Sequence, residues 1–162
     1  MHLEGELGHF SKLPIDSISE NVEANPKVEY TEEEILELLR DLCIAVDEGS
    51  YIPQTPTEEH PSLSDDYIFD TNDENLILKD LKKENLVGKV KDLSKGSIAR
   101  REKGYPDEFL YVFKYPCLLH RRDEESDNKK AENVLIYIKI NNRKIPLKKV
   151  FVVSFHKNVP KE

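Results

Sequence analysis

Apolar residues recur at helical spacing in the first half of the chain. Between residues 35 and 46 they stand three or four positions apart, which places them along one side of a helix. Thr31 and Glu34 precede this run with the spacing of a capping box, and Gly49 follows it as a helix-ending glycine. The pattern predicts a first helix whose other side, rich in glutamate, is solvated or contacts a basic partner.

A second helix is predicted after a loop. Three prolines with Ser, Thr, Glu and His residues occupy the segment 50–66, a composition that favours a loop. Thr71 and Glu74 then repeat the capping-box spacing, and the apolar residues among 76–81 can pack inward. We expect this helix to fray by Gly88.

Three strands are predicted in the second half, at residues 109–119, 133–140 and 149–156. The residues between them are charged or contain asparagines, which suits turns. Consecutive strands joined in this way form an antiparallel meander. Two helices followed by these strands predict an α+β fold, in which the helices pack on one face of an antiparallel sheet of three or four strands.

The length of 162 residues suits one domain, which we place at residues 27–162. Residues 1–26 have a weak apolar pattern, and we expect a partly disordered N-terminal extension there. Residues 89–108 hold six lysines and arginines with two glycines and a proline. We expect this segment to form a basic, partly mobile loop.

The charge of the chain is divided between its halves. Residues 1–74 hold 20 acidic and 3 basic side chains, or −17, whereas residues 75–162 hold 12 acidic and 21 basic side chains, or +9. A polyanion responds to the local potential, so the net charge of −8 does not exclude nucleic acid as a ligand. The basic half contains the predicted sheet. The alternative is an ordinary dipole between two solvated surfaces.

The cysteine content and the hydropathy exclude several classes of protein. Cys43 and Cys117 belong to no CxxC motif or Cys/His cluster, so we interpret them as small buried residues. No disulfide, metal or cofactor is predicted. No apolar run suits a signal peptide or a membrane span, and we therefore expect a cytoplasmic protein without membrane contact.

Strand alternation indicates which side chains share the sheet face that the helices leave open, here called the open face. In the second predicted strand, alternate residues from Val134 to Ile140 are apolar and belong to the core, which leaves Tyr137 and Lys139 on the open face. In the third strand the same rule gives a core set of Phe151, Val153 and Phe155 and an open set of Val152, Ser154 and His156. In the first strand it gives a core set of Phe109, Tyr111 and Phe113 and an open set of Leu110, Val112 and Lys114.

A tyrosine, lysines and a histidine on one face, beside a basic loop, suit phosphodiester chemistry on RNA. Cationic side chains can hold the scissile phosphate and stabilise the charge on its non-bridging oxygens. The RNA 2′-hydroxyl is the nucleophile, so this chemistry requires no metal. His156, with an ordinary pKa of about 6.5, could exchange the protons, and Tyr137 could stack on a base or bond the phosphate.

Each of these residues also has a simpler interpretation. Tyr137 can be a half-buried aromatic residue of the sheet, and Lys139 can serve solubility. His156 can be an ordinary surface histidine near the C-terminus, and the loop arginines can be solvated. His120 is interpreted as a loop residue without a functional role. Only the grouping of these residues favours a site.

The last two predicted strands resemble the closing strands of the MqsR-like toxins, within the broader RelE-like ribonuclease superfamily. The shared pattern is VLIYIKI at 134–140, a strand with Tyr-x-Lys, and VFVVSFHK at 150–157, a strand with Val-Ser-Phe and a basic residue. Upstream, LKDLKKENLVGKV at 78–90 is similar to the end of the family's second helix, and EFLYVF at 108–113 to its next strand. In the order of elements the resemblance covers roughly residues 28–157.

This resemblance implies a metal-independent endoribonuclease that cleaves mRNA, free or on the ribosome, and that a cognate antitoxin protein holds inactive. By position, Tyr137 matches the family's functional tyrosine, and His156 replaces the lysine that follows Val-Ser-Phe. A family lysine at the end of the second helix falls at Gly88 or, with one residue of slippage, at Lys89. Leu110 stands where the family has a polar residue, and toxins of this type are generally basic throughout, unlike this chain.

The sequence and the resemblance together predict a toxin-type endoribonuclease. The predicted catalytic residues are Tyr137, Lys139, His156 and Lys89, and the predicted RNA-binding residues are Arg100, Arg101, Lys103, Lys114 and Ser154. The alternatives are a non-catalytic RNA- or protein-binding module on the same face, and a phage or mobile-element nuclease that acts on tRNA. The acidic half either mimics RNA and blocks the basic face in cis, or contributes a solvated helix that packs behind the sheet.

Overall fold

A computed structural model describes residues 8–15, 28–122 and 131–158 of the chain, and the statements below refer to these ranges. The described residues form an α+β fold, which confirms the predicted class, with three helices and an antiparallel sheet of five strands. The helices are α1 (Glu32–Glu48), α2 (Thr71–Asp80) and α3 (Lys95–Glu102). The strands are β1 (Phe10–Lys12), β2 (Leu86–Lys91), β3 (Phe109–His120), β4 (Ala131–Arg143) and β5 (Lys149–Lys157).

Helix α1 begins and ends where its sequence predicts. The N–H of Glu34 donates to Thr31 Oγ1 at 3.1 Å, and the N–H of Thr31 donates to Glu34 Oε1 at 3.3 Å, which completes the capping box. Gly49 follows in the left-handed conformation with a φ of 66°, which glycine adopts without strain. The apolar stripe of α1 is buried against α2 and the sheet.

Helix α2 is also confirmed, but its cap and its end differ from the prediction. The capping box is formed by Asp70 and Asp73, one residue before the predicted pair. The N–H of Asp73 donates to Asp70 Oδ1 at 3.0 Å, and the N–H of Asp70 donates to Asp73 Oδ2 at 2.9 Å. The helix ends at Asp80, and a short turn follows it. The buried Asn85 fixes this turn through a 2.9 Å hydrogen bond to the backbone oxygen of Lys114, and β2 begins directly afterwards.

Strand β3 is the centre of the sheet. Strands β1 and β2 pair with the two ends of β3 along one of its edges, and β4 pairs along the other edge. Strand β5 pairs with the far edge of β4. All of these pairings are antiparallel, and β3 and β4 are joined by ten residue pairs between Tyr111↔Ile140 and His120↔Ala131. The predicted meander of three strands is therefore confirmed, as β3, β4 and β5.

Two segments that were expected to lack regular structure contribute elements. Phe10–Lys12 of the N-terminal extension forms β1, whereas residues 1–7 and 16–27 lie outside the described ranges. The prediction of a loop over 89–108 is wrong, because this segment holds half of β2 and all of α3. Ser94 caps α3 by accepting a hydrogen bond from the N–H of Ser97 at 3.4 Å.

The two faces of the sheet have different roles. Helices α1 and α2 pack on one face, the covered face, against the apolar residues of β4 and β3, of which Ile136, Ile138 and Phe113 are fully buried. The opposite face is the open face. Its members at the centre of the sheet are Leu110, Val112 and Lys114 of β3, Tyr137 and Lys139 of β4, and Ser154 and His156 of β5.

Strand β5 departs from the predicted alternation. Its pairing with β4 shifts between Lys139↔Ser154 and Ile140↔Val152, so that Val153 forms a bulge and is 43% exposed. The bulge turns Val152 into the core, and the predicted core positions of Val153 and Phe151 are wrong. Beyond the bulge, Ser154 keeps its predicted place on the open face.

Both cysteines are free thiols, and the prediction that they are buried is confirmed for Cys117 but not for Cys43. Cys117 is fully buried in the core, and burial raises the pKa of its thiol to about 12. Cys43 is partly exposed on α1. Over the described residues, no helix combines the length and the apolar character that a membrane span requires.

Replacing Leu42 of α1 tests the packing of the helix on the covered face. Leu42→Ala should lower the free energy of unfolding by about 3 kcal/mol, because it leaves a cavity where the side chain is 0% exposed. Leu36→Ala is the matched control on the same helix, since Leu36 is 46% exposed, and it should cost less than about 0.5 kcal/mol. Urea unfolding followed by circular dichroism measures both variants. Equal losses would contradict the packing of α1.

Candidate functional site

Five of the predicted site residues lie together on the open face. Tyr137 pairs with His156, and Lys139 pairs with Ser154, across β4 and β5. Lys114 of β3 lies opposite Tyr137 on its other side. Directly opposite residues of antiparallel strands point to the same face, with their Cβ atoms about 5 Å apart. The register therefore gathers two lysines, a tyrosine, a serine and a histidine.

His156 is the imidazole of this group, and it is largely enclosed. It is 6% exposed, and its ring centroid lies 5.6 Å from that of Tyr137. The imidazole of His60 stacks on it, with centroids 4.0 Å apart and an interplanar angle of 16°. Sequence reasoning missed His60, because the loop 50–66 has no periodicity that would tie it to a strand.

The hydrogen bonding of His156 indicates which ring nitrogen can take a proton. Nδ1 lies 3.0 Å from the backbone oxygen of Lys157, and since a carbonyl only accepts, Nδ1 carries the hydrogen and Nε2 is the acceptor. Burial lowers the pKa of His156, and the positive charges that His60 and Lys139 can carry lower it further, against the effect of the bond to Lys157. The neutral ring, which can act as a base, is therefore favoured at neutral pH.

The centre of the open face combines positive charge with apolar surface. Lys139 Nζ lies 5.4 Å from the ring centroid of Tyr137, a cation–π distance. Lys114 is only 3% exposed. Leu110 and Val112 form a small apolar cluster against which Tyr137 packs. Leu110 is thus an apolar contact of this face, where the resembling family has a polar group.

Lys89 does not share the face of Tyr137. The β2–β3 register pairs it with Tyr111, whose side chain points to the covered face. There Lys89 Nζ and the Tyr111 hydroxyl both donate to Glu34 Oε2 of α1. Burial raises the pKa of Glu34, but these hydrogen bonds outweigh it and the pKa is lowered. Lys89 joins β2 to α1, and its predicted grouping with Tyr137 is wrong.

Arg100 belongs to a polar network at one end of the open face. Its Nη2 donates to Glu108 Oε1 at 3.0 Å and its Nε donates to Oε2. Asn141 Nδ2 donates to Glu108 and to Asp92, both at 2.9 Å, and Arg143 Nε donates to Glu108 at 3.3 Å. Burial raises the pKa of Glu108, but the bonds from Arg100 and Asn141 and the charge of Arg143 lower it to about 2.

This network flanks the group around Tyr137 and does not line it. Asn141 is four residues from Tyr137 along β4, a separation of about 13 Å. Arg101 and Lys103 are exposed at the end of α3, and Arg101 Nη1 lies 3.8 Å from Asp107 Oδ1. Arg100 therefore adjoins the site at its end, where a carboxylate engages its charge, and Arg101 and Lys103 follow it at the exposed end of α3.

The acidic helix α1 lies on the opposite side of the sheet from Tyr137. Asp41 of α1 accepts a hydrogen bond from Asn142 Nδ2 at 2.9 Å, and it lies 3.2 Å from Lys148 Nζ and 3.6 Å from Lys144 Nζ. This geometry supports the interpretation of a helix packed behind the sheet. The alternative, in which the acidic half blocks the basic face, is not supported by α1, and residues 1–7 and 16–27 of that half lie outside the described ranges.

Within the described ranges, His9, Asp70 and Asp73 form the one cluster of ligand atoms close enough to hold a metal ion. The buried Asp73 carboxylate accepts hydrogen bonds from the N–H groups of His9 at 2.6 Å and Asp70 at 2.9 Å, and from His9 Nδ1 at 2.9 Å. The bond to Asp73 raises the pKa of His9. These bonds account for the cluster, which fastens the residues before β1 to the start of α2.

Glu108 should make the stability of the protein depend on pH. Its folded-state pKa of about 2 lies below the value of about 4.3 for an unfolded chain. The stabilisation is therefore fully present above the unfolded value and is lost as the pH falls through the folded value. Glu108→Gln should lower the free energy of unfolding by about 3 kcal/mol at neutral pH. It should also flatten the pH dependence between roughly pH 2 and 5.

Urea unfolding at a series of pH values measures this effect. Glu102→Gln is the matched control, because Glu102 is an exposed carboxylate at the end of α3. It should leave both the stability and its pH profile close to those of the wild type. A Glu108→Gln variant with the wild-type pH profile would contradict the role of the network.

No protein-family model, no curated protein and no solved structure matches the chain. The candidate site therefore depends on the register of β3, β4 and β5 and on the side chains that this register brings together.

Proposed function

We propose that the protein is a toxin-type endoribonuclease that cleaves mRNA on the open face. The observation that carries the proposal is the register that sets Tyr137 opposite His156, with Lys139 and Lys114 on the same face. The order α1, α2, β3, β4, β5, with Tyr-x-Lys in β4 and Val-Ser-Phe in β5, supports a RelE- and MqsR-like arrangement. As the resemblance implies, the partners are RNA, free or on the ribosome, and an antitoxin, in the cytoplasm.

The proposed reaction is an attack by RNA on its own backbone. Nε2 of neutral His156 takes the proton of a ribose 2′-hydroxyl, and the 2′-oxygen forms a bond to the adjacent phosphorus. The bond from phosphorus to the 5′-oxygen of the next nucleotide breaks, and that oxygen takes up a proton. The products are a 2′,3′-cyclic phosphate and a 5′-hydroxyl. The nucleophile comes from the substrate, so the proposal involves neither a metal nor a covalent enzyme intermediate.

The other residues of the face have distinct roles in this proposal. Lys139 stabilises the charge on the non-bridging oxygens, an effect worth about 3 kcal/mol for a preorganised donor. Lys114, which is 3% exposed, contributes its charge from below the surface. Tyr137 offers a ring on which a base can stack, and Ser154, beside Lys139, offers a hydroxyl to the backbone. The exposed Arg101 and Lys103 extend the positive surface towards α3.

Induced expression in a bacterial host tests the nuclease. The wild type should arrest growth and fragment total RNA, and Tyr137→Phe combined with His156→Ala should relieve both effects. The matched control combines Tyr105→Phe with His120→Ala, both at exposed residues. His120 lies six residues, or about 20 Å, from Lys114 along β3. Normal growth and intact RNA with a folded wild type would contradict the nuclease.

The salt dependence of RNA binding tests the electrostatics of the open face. Affinity should fall steeply with salt, because each neutralised phosphate releases counterions. Lys139→Ala should reduce the slope of log affinity against log salt concentration by about 1, as expected for the loss of one phosphate contact. Lys79→Ala on α2, where the lysine lies 2.6 Å from Asp47, is the matched control and should leave the slope unchanged. A wild-type affinity that does not change with salt would remove the polyanion ligand from the proposal.

One observation favours a second candidate, a non-catalytic RNA- or protein-binding module on the same face. His156 is 6% exposed beneath His60, which limits the access of a phosphate to its ring. The His156→Ala variant distinguishes the two candidates. If the protein is a nuclease, the variant loses turnover but still binds RNA; if it is a binding module, the variant keeps its function. For a nuclease, sequencing the cleaved ends distinguishes mRNA from tRNA.

A further inference from the structure

A second imidazole adjoins the open face at its β5 edge. His60, from the loop before α2, stacks on His156 with ring centroids 4.0 Å apart. His60 is exposed, whereas His156 beneath it is buried. The two rings therefore occupy different depths at one place on the sheet, and both can carry a proton.

We propose that His60 and His156 act as a pair that shares one proton, with His156 as the general base and His60 as the general acid that protonates the leaving 5′-oxygen. The proposal rests on the proposed ribonuclease function and adds a residue from outside the sheet to its site. It also predicts how pH controls the reaction.

The loop holds His60 in place through defined bonds. The N–H of His60 donates to Thr57 Oγ1 at 3.1 Å, and the N–H of Thr57 donates to the His60 carbonyl at 3.2 Å, which closes a turn. Gln54 ties this turn to β5, because its Oε1 accepts from the N–H of Phe155 at 2.7 Å and its Nε2 donates to the His60 carbonyl at 3.5 Å. Ile52 exchanges two further backbone bonds with β5, at 2.9 and 2.8 Å.

The stacking of the rings disfavours a positive charge on both of them at once. Two positive charges in stacked rings repel, so the second proton is harder to add than the first. Burial lowers the pKa of His156, and the charges that His60 and Lys139 can carry lower it further, so His156 is the ring suited to act as the base. The titratable side chains that face the pair are Tyr137 and Lys139 of β4, and Glu58 and Glu59 precede His60 in the loop.

A one-proton pair matches what RNA cleavage requires. The reaction transfers one proton from the 2′-hydroxyl to the base and one from the acid to the 5′-oxygen. When neutral His156 accepts the first and protonated His60 gives up the second, the pair holds one proton before and after the step. The positive charge moves from the exposed ring to the buried ring, and no further proton donor is needed.

NMR titration of the imidazole signals of the full chain tests the pairing without reference to RNA. The midpoint of the His156 signal should lie below its ordinary value of about 6.5. His60→Ala should raise the His156 midpoint towards its ordinary value of about 6.5. The substitution removes the ring that covers His156 and the charge that can repel a proton on it. His120→Ala is the matched control and should leave that midpoint in place. A His156 midpoint that is the same with and without His60 would overturn the pairing.

Gln54→Ala provides a second variant that keeps both rings. It removes the bonds from Gln54 to Phe155 and to the loop, so it should raise the His156 midpoint in the same direction as His60→Ala but by less. A shift opposite in sign would contradict the loop's part in holding the pair.

Single-turnover cleavage of an RNA oligonucleotide tests the proton roles. The wild type should show a bell-shaped pH profile, which rises as His156 becomes the neutral base and falls at alkaline pH where the general acid has lost its proton. His60→Ala should lower the optimal rate about 100-fold and abolish the fall at alkaline pH while the rise remains. A bell-shaped pH profile of the cleavage rate in His60→Ala would overturn the role of His60 as the general acid. A wild type that cleaves no RNA would overturn the proposed function and this role together, whereas the titration still decides the pairing.

Discussion

The antiparallel pairing of β3 with β4 determines what each face of the sheet can do. Its register places Ile136 and Ile138 in the core beneath α1 and α2, and the same alternation places Tyr137 and Lys139 on the open face beside Lys114. A slip of one residue would exchange the two sets, which would bury charge and expose the core. Burial of the apolar set therefore fixes the positions of the polar set, and the geometry of the candidate site follows from the packing of the core.

The same fold engages several of its own cations. Lys89 is bonded to Glu34 on the covered face, and Arg100 is bonded to Glu108 at the end of the open face. The charge of +9 on residues 75–162 therefore overstates the potential that an RNA would meet, because part of it is neutralised inside the fold. Lys139 stands near the centre of the open face beside an aromatic ring, where a polyanion and its bases can both be contacted.

Local patterns predicted those parts of the structure that depend on local contacts. The α1 capping box and the alternation in β4 are such signals, and both are confirmed. Strand β1 exists only through its pairing with the distant end of β3, and the bulge at Val153 depends on how β5 fits β4, so neither has a local signal. His60 reaches the site through the contacts of Gln54 with β5. Lys89 was expected at a helix end, but it lies in β2, whose alternation turns it to the covered face.

Binding of RNA to the open face can be observed directly by NMR. The measurement records the backbone amide shifts of the labelled full chain during titration with an oligonucleotide that lacks the 2′-hydroxyl and so cannot be cleaved. We expect the changes to concentrate at Tyr137, Lys139 and Ser154 in β4 and β5, with α1 and α2 unaffected. Changes confined to α1, or to the exposed end of α3 at Arg101, would contradict the open face as the RNA site, and so would a spectrum that does not change.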